Sequence, residues 1–122
     1  MCGIYGINKK QTKEQLDTIL KLAGFRGPDF SDVSISDTYS FGHNRLAIID
    51  LDSRSNQPFK INNYEIVFNG EIYNYQEIKD ELIKKGYVFH TNSDTEVLLI
   101  GYKAYGEKIL DKLNGMFAFV IY

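Results

Sequence analysis

Apolar positions recur along this chain in two rhythms, and the changes of rhythm mark its elements. CGIYGI reads as a short buried strand, ended by the polar stretch from Asn8 to Gln11. Leu16, Ile19, Leu20 and Ala23 then fall at helical spacing, behind a capping box of Thr12 and Gln15. Gly24 is a natural stop for that helix. RGPD breaks regular structure, because Pro28 has no N–H and restricts Gly27 before it.

SDVSISDTYSFGH predicts a hairpin about Ser36-Asp37 that leads into RLAIIDL, and DSRSNQP is a polar loop. YEIVFNGEIYNY reads as a second hairpin, two β-rich runs about Asn69-Gly70. The helical rhythm returns from Tyr75 to Lys85 and stops at Gly86; YVFH then reads as a short strand. SDTEVLLIGYKAYG predicts a helix with a capping box of Ser93 and Glu96, and EKILDKL is a further helical piece. GMFAFVIY predicts a central strand buried on both faces, with no partner following it. Hairpins mixed with helices point to an α+β fold of mainly antiparallel sheet, with helices near 13–23, 75–85 and 94–105.

Composition narrows the classes of function. The 122 residues suffice for one domain with a core. Fourteen basic and 16 acidic residues are interspersed for a net charge of −2, so nucleic acid and anionic membrane are poor partners. No basic segment precedes an apolar core at the N-terminus, and no run is long enough to cross a bilayer. The single cysteine cannot form an internal disulfide, which fits a reducing compartment. The expectation is cytoplasmic. His43 and His90 stand at no metal-ligand spacing and read as structural, so no metal site is expected.

The chemistry-bearing residues sit beside the apolar strands. Singly, each has an ordinary explanation: Cys2 as a packed strand residue, Arg45 as an edge charge, Asn69-Gly70 as a turn, Glu71 as an exposed strand position, Asp94 as a helix-start acid. Together they form an inventory. If Cys2 becomes the first residue, its own α-amine can serve the thiol as base, since an α-amine and a thiol in general exchange a proton readily near neutrality. Asn69 offers a side-chain N–H and Gly70 a backbone N–H to a tetrahedral oxyanion. Arg45 offers a bidentate fork for a carboxylate, and Glu71 and Asp94 offer acids for an ammonium. That set suits glutamine.

MCGIYGI, RGPD, HNRLAIIDL, SNQPF, NGEIYNY, HTNSDTEVLL and LNGMFAFVIY occur here in the order seen in glutamine-dependent asparagine synthetases. From Cys2 to Tyr122 the chain resembles their N-terminal glutaminase domain, a class II glutamine amidotransferase of the N-terminal-nucleophile hydrolase type. The pattern fits less well the amidotransferases that make phosphoribosylamine or glucosamine phosphate. The resemblance implies an αββα sandwich with mainly antiparallel sheets, a nucleophile at Cys2 exposed by methionine removal, and an oxyanion hole at Asn69 and Gly70. It implies glutamine contacts from Arg45 and the stretch Leu46, Ala47, Ile48 and Ile49, ammonium contacts from Glu71 and Asp94, and a supporting role for Arg26.

The family continues with further strands and a synthetase domain, so residues 1–122 read as the N-terminal part of the amidotransferase domain, its sheet incomplete at the C-terminus. No cofactor is expected in this chain; ATP and Mg belong to the synthetase domain of the longer parent. The partners implied are L-glutamine and that synthetase domain, with homo-oligomerisation left open. Two alternatives stand beside this reading. One is the amidotransferase half of a related enzyme with another acceptor, such as a sugar acid; the other is a non-catalytic binding module that keeps the fold.

Overall fold

In a computed structural model, which describes residues 1–122, Thr12 starts the first helix as its spacing to Gln15 predicts. The Thr12 hydroxyl accepts the Gln15 amide at 3.2 Å and the Gln15 side chain accepts the Thr12 amide at 3.0 Å. Two donors that no helical carbonyl can reach are thereby paired. This helix, α1 (Lys13–Leu22), buries Leu16 and Leu20, and Leu20 packs where Gly42 leaves room.

Beneath α1 lies an antiparallel sheet of β1 (Gly3–Ile7), β2 (Phe30–Ile35) and β3 (Ser40–Arg45), in the order β1-β3-β2. The β2–β3 hairpin closes over Ser36–Tyr39 as expected, its Ser36 hydroxyl accepting the Thr38 and Tyr39 amides at 3.2 and 3.0 Å. Side chains alternate across β3. Asn44 turns to α1 and donates to the Leu20 carbonyl at 3.1 Å, while His43 turns the other way and meets the Phe68 carbonyl at 3.1 Å.

Phe68 belongs to the second antiparallel sheet, formed by β4 (Phe59–Ile61), β5 (Tyr64–Ile72) and β6 (Gly115–Ile121) in the order β4-β5-β6. Helices α2 (Tyr75–Lys84) and α3 (Asp94–Tyr105) cover its far face. Ile66, Phe68 and Ile72 of β5 join Ile78 and Leu82 of α2 and Val97 to Ile100 of α3 in the main core. Each such side chain, fully buried, contributes about 1.5–3 kcal/mol. Helix, sheet, sheet, helices is the expected αββα layering, and the three helices lie where the periodicity puts them. No helix is long and apolar enough to cross a membrane.

Four expectations need correction. Asn69-Gly70 is not a turn: β5 runs straight through it, with Asn69 opposite Ala118 and Gly70 opposite Phe117. The hairpin lies earlier, where Ile61 pairs with Tyr64 and Asn62 takes a positive φ of 54°. Asn tolerates that region, so either Asn-containing dipeptide could carry the turn.

YVFH forms no strand. The amides of His90 and Thr91 donate instead to the Glu96 carboxylate, at 2.9 and 2.7 Å. For the same reason the second capping box is only half made. Ser93 accepts the Glu96 amide at 3.2 Å, but the Glu96 side chain is turned to the preceding loop.

Finally, β6 is paired with β5 alone among these residues, and its two faces differ instead of being equally buried. Phe117, Phe119 and Ile121 pack on the core, while Met116 and Val120 are 66% and 42% exposed. The other sheet covers that outer face only in part, as where Val120 meets Gly6. The EKILDKL piece is a 3₁₀ stretch, Gly106–Lys112, that buries Ile109.

Candidate active site

Cys2 stands half-buried at the entrance to β1, and its thiol lies against the backbone that follows β3. The Leu46 amide donates to Sγ at 3.3 Å, and the thiol faces the Leu46 carbonyl at 3.6 Å. Arg26 donates from Nε to the Cys2 carbonyl at 3.1 Å.

The rest of RGPD clamps the same backbone. Gly27 lies so close to β3 that a Cβ there would come within 2.3 Å of the Asn44 carbonyl oxygen. Only glycine permits that approach. The Asp29 amide donates to the Arg45 carbonyl at 3.0 Å, and the Asp29 carboxylate accepts the Ala47 amide at 2.8 Å. RGPD therefore fixes both Cys2 and the stretch from Arg45 to Ala47.

Arg45 ends β3 and is 6% exposed. Its guanidinium donates to the Asp52 carbonyl at 3.0 Å, to Asn56 Oδ1 at 2.6 Å and to the Asp50 carbonyl. All three acceptors are neutral, and no carboxylate closes an ion pair with it.

On the opposite wall, β5 presents Asn69, Gly70 and Glu71. Gly70 takes φ 151°, and a Cβ there would sit 2.2 Å from the Met116 carbonyl oxygen, so β6 can pass only over glycine. Asn69 Oδ1 is buried without a partner. Asp94 is the first residue of α3, 5% exposed, and its Oδ2 accepts the Ile72 amide at 3.1 Å. Burial pushes its carboxyl pKa up, the amides of Ile72, Asp94 and Thr95 oppose this, and the nearby Glu71 charge adds to the rise.

One support, Gln57, escaped the sequence reading, and His43 has the structural role expected of it. Gln57, read only as part of a polar loop, accepts the Phe68 amide at 2.6 Å and donates to Thr95 Oγ1 at 3.2 Å. His43 takes the carbonyl of the same Phe68. Gln57 thus replaces a strand partner that β4, starting at Phe59, does not extend far enough to supply. The signal available in sequence was a polar residue immediately before a proline and a strand, which is weak.

Cys2, Arg45, Leu46, Ile48, Ile49, Asn69, Gly70, Glu71 and Asp94 line one open cleft, with Met1 at its rim. Ala47 is not on its wall; Asp29 holds its amide instead. No group of three or more His, Cys, Asp or Glu side chains is placed to hold a metal ion.

Residues 1–122 match the family model described as "Glutamine amidotransferase domain". The chain belongs to that family. Over its full length this amidotransferase domain is similar to "Asparagine synthetase [glutamine-hydrolyzing] 1" of Bacillus subtilis, 44% identical across 131 aligned positions and covering 21% of that protein. It is 41% identical to "Amidase chry2" of Gibberella zeae, over 93% of the chain and 17% of that protein. The chain spans about a fifth of the length of these curated relatives. Among solved structures, a glutamine phosphoribosylpyrophosphate amidotransferase from B. subtilis superposes with a TM-score of 0.77 over 98% of this chain and 34% of that one. At 23% identity that likeness shows the fold, which is the layered α+β fold expected.

Proposed function

We propose that this domain hydrolyses the side-chain amide of L-glutamine, and that a longer protein carrying it uses the ammonia to make asparagine. The observation that carries the reading is the single cleft on which the thiol, the guanidinium, the Asn-Gly pair and the two acids converge. Once Met1 is removed, the Cys2 α-amine takes the thiol proton. The thiolate attacks the amide carbon, forming a C–S bond, and Asn69 and Gly70 donate to the oxyanion. The C–N bond breaks as the α-ammonium returns its proton to the leaving ammonia, and water then hydrolyses the thioester to glutamate.

Arg45 holds the substrate carboxylate, and Leu46, Ile48 and Ile49 line the wall beside it. Ala47 contributes through the RGPD turn that fixes its backbone. Glu71 and Asp94 hold the ammonium. ATP and Mg²⁺ serve a separate synthetase domain and have no part in this cleft.

The test pairs intact-mass spectrometry of the full-length protein with a glutaminase assay. Retained Met1 turns the amine into an amide nitrogen of no basicity and crowds the thiol, so Met1-bearing protein should be inactive. Cys2→Ala should bind glutamine without turnover. Full activity in a homogeneous Met1-bearing sample would overturn the mechanism. A second reading keeps the same glutamine chemistry and feeds another acceptor; a relative named as an amidase and not as a synthetase, at 41% identity, keeps it open. Ammonia transfer assayed on aspartate against sugar acids separates the two.

A further inference from the structure

Asp50 has no role in the chemistry above, yet three segments of the cleft wall are tied to it. Its carbonyl accepts from Arg45 Nη2. Its Oδ1 accepts the Asp52 amide at 3.1 Å. Its Oδ2 accepts the Ser55 hydroxyl at 2.8 Å and, from 42 residues away in sequence, the Asn92 amide at 2.7 Å. Asn92 stands two residues before Asp94. One residue therefore joins the loop that surrounds the Arg45 guanidinium to the loop that delivers Asp94.

We propose that Asp50 is a positioning residue that sets the spacing between the carboxylate-binding and ammonium-binding ends of the cleft. The proposal rests on the glutamine reading of those two ends. Lys79 also reaches the second loop, through the Thr91 carbonyl at 3.1 Å and Asn92 Oδ1 at 3.3 Å, but it comes from α2 and has no tie to Arg45. Gln57 ties the end of the first loop to Thr95 of α3 at 3.2 Å but does not bond to Arg45, whereas Asp50 bonds both to Arg45 and to the second loop. Its backbone, at φ 53°, lies in the left-handed region that Asp, Asn and Gly tolerate. Burial works against its charge, but the Asn92 amide, the Ser55 hydroxyl, the Asp52 amide and the Arg45 guanidinium outweigh that and hold its pKa below the ordinary value. The carboxylate is thus ionised at neutral pH and accepts all three bonds.

The experiment uses the full-length protein and two probes. L-glutamine engages both ends of the cleft. Glutaramate keeps the amide and the carboxylate but has no α-ammonium, so it engages only the Arg45 end, and its inhibition constant is read in competition with glutamine. Asp50→Gly keeps the turn and removes the carboxylate. It should raise the KM for L-glutamine about tenfold or more, with kcat and the glutaramate inhibition constant each within about threefold of wild type. Asp50→Asn keeps the turn and, with its amide oxygen at the Oδ2 position, the Ser55 and Asn92 bonds, losing only the bond from the Asp52 amide. Its L-glutamine KM should fall clearly below that of Asp50→Gly while staying above wild type; a KM equal to that of Asp50→Gly overturns the proposal.

An unchanged KM in Asp50→Gly overturns the proposal, and so does equal weakening of both probes or a loss confined to kcat. If Asp50→Gly loses its fold by circular dichroism, the same readings on Asp50→Ser decide in the same way, since its shorter side chain reaches fewer of the three donors. Arg45→Ala and Asp94→Asn serve as controls. If neither raises the glutamine KM, the assignment of the two ends has failed. If both raise it and Asp50→Gly does not, only the positioning role has failed.

Discussion

His43 sits between the two sheets with no exposed surface, its Nε2–H donating to the Phe68 carbonyl at 3.1 Å and its Nδ1 left without a partner. Burial pushes its pKa down from 6.5 to about 4; the Phe68 bond offsets part of the fall, and the Arg45 guanidinium adds to it. The unfolded chain takes up this proton below about pH 6.5, whereas the folded chain resists it until about pH 4. Stability is therefore complete above the unfolded value and is lost as pH falls through that window. The full gap is worth about 3 kcal/mol, of which about 2 kcal/mol is gone by about pH 5.

Asp94 acts with the opposite sign. Its raised folded pKa means that protonation favours the folded state as pH falls toward the unfolded value of 3.8. Asp50, with its lowered pKa, loses stability only as pH falls below 3.8. His43→Gln keeps a donor for Phe68 and removes the titration. Urea unfolding followed by circular dichroism at about pH 7.5 and about pH 5 should show wild type losing about 2 kcal/mol more than the variant. The chain has only two histidines, so NMR titration of the His43 ring gives an independent reading. Parallel pH dependence in the two proteins, or a His43 ring that titrates near about 6.5, would refute the reasoning.

Gly70→Ala should destabilise the domain by about 2–4 kcal/mol, since the new Cβ meets the β6 backbone, and a lowered urea midpoint at unchanged slope checks this. Glu96→Gln should cost about 2–4 kcal/mol. The fully buried carboxylate accepts the His90 amide, the Thr91 amide and the Thr91 hydroxyl, and an amide nitrogen cannot replace an acceptor; faster hydrogen exchange at His90 and Thr91 would report it.

Local rules located the helices well because their signals lie within one turn. Thr12 and Gln15 satisfy each other, and Leu16 and Leu20 form one buried stripe. They failed where a residue's partner is remote. Asn69-Gly70 carries the strongest short-range turn signal in the chain, yet the register with Ala118 and Phe117 overrides it. Nothing adjacent to Gly70 announces that a strand more than forty residues later will press on its Cα. Glu96 fits a capping box by spacing, but a loop with two unpaired amides claims its carboxylate instead. The types of residue in the cleft were legible, and His43 as a structural residue; the supports at Gln57 and Asp50 were not, because each acts through backbone groups that sequence does not pair.

Arg45 shows how far geometry adds to that list of types. A guanidinium carries five N–H donors, and three bonds are made here, to the Asp52 carbonyl, the Asn56 amide oxygen and the Asp50 carbonyl, leaving two donors uncommitted. A structural arginine this deeply buried would be expected to close an ion pair, because an uncompensated charge is costly to take out of water. Arg45 hydrogen-bonds only to neutral oxygens, at the edge of a cleft that Glu71 and Asp94 also line. The neutral acceptors fix the fork's orientation, and the Asp50 carboxylate nearby offsets part of its charge without pairing with it. An amino acid entering carboxylate-first would supply the directly hydrogen-bonded anion that the nearby Asp50 carboxylate does not, while its ammonium faces Glu71 and Asp94. That polarity is what the proposed glutamine orientation requires, and it supports the orientation independently of any resemblance in sequence.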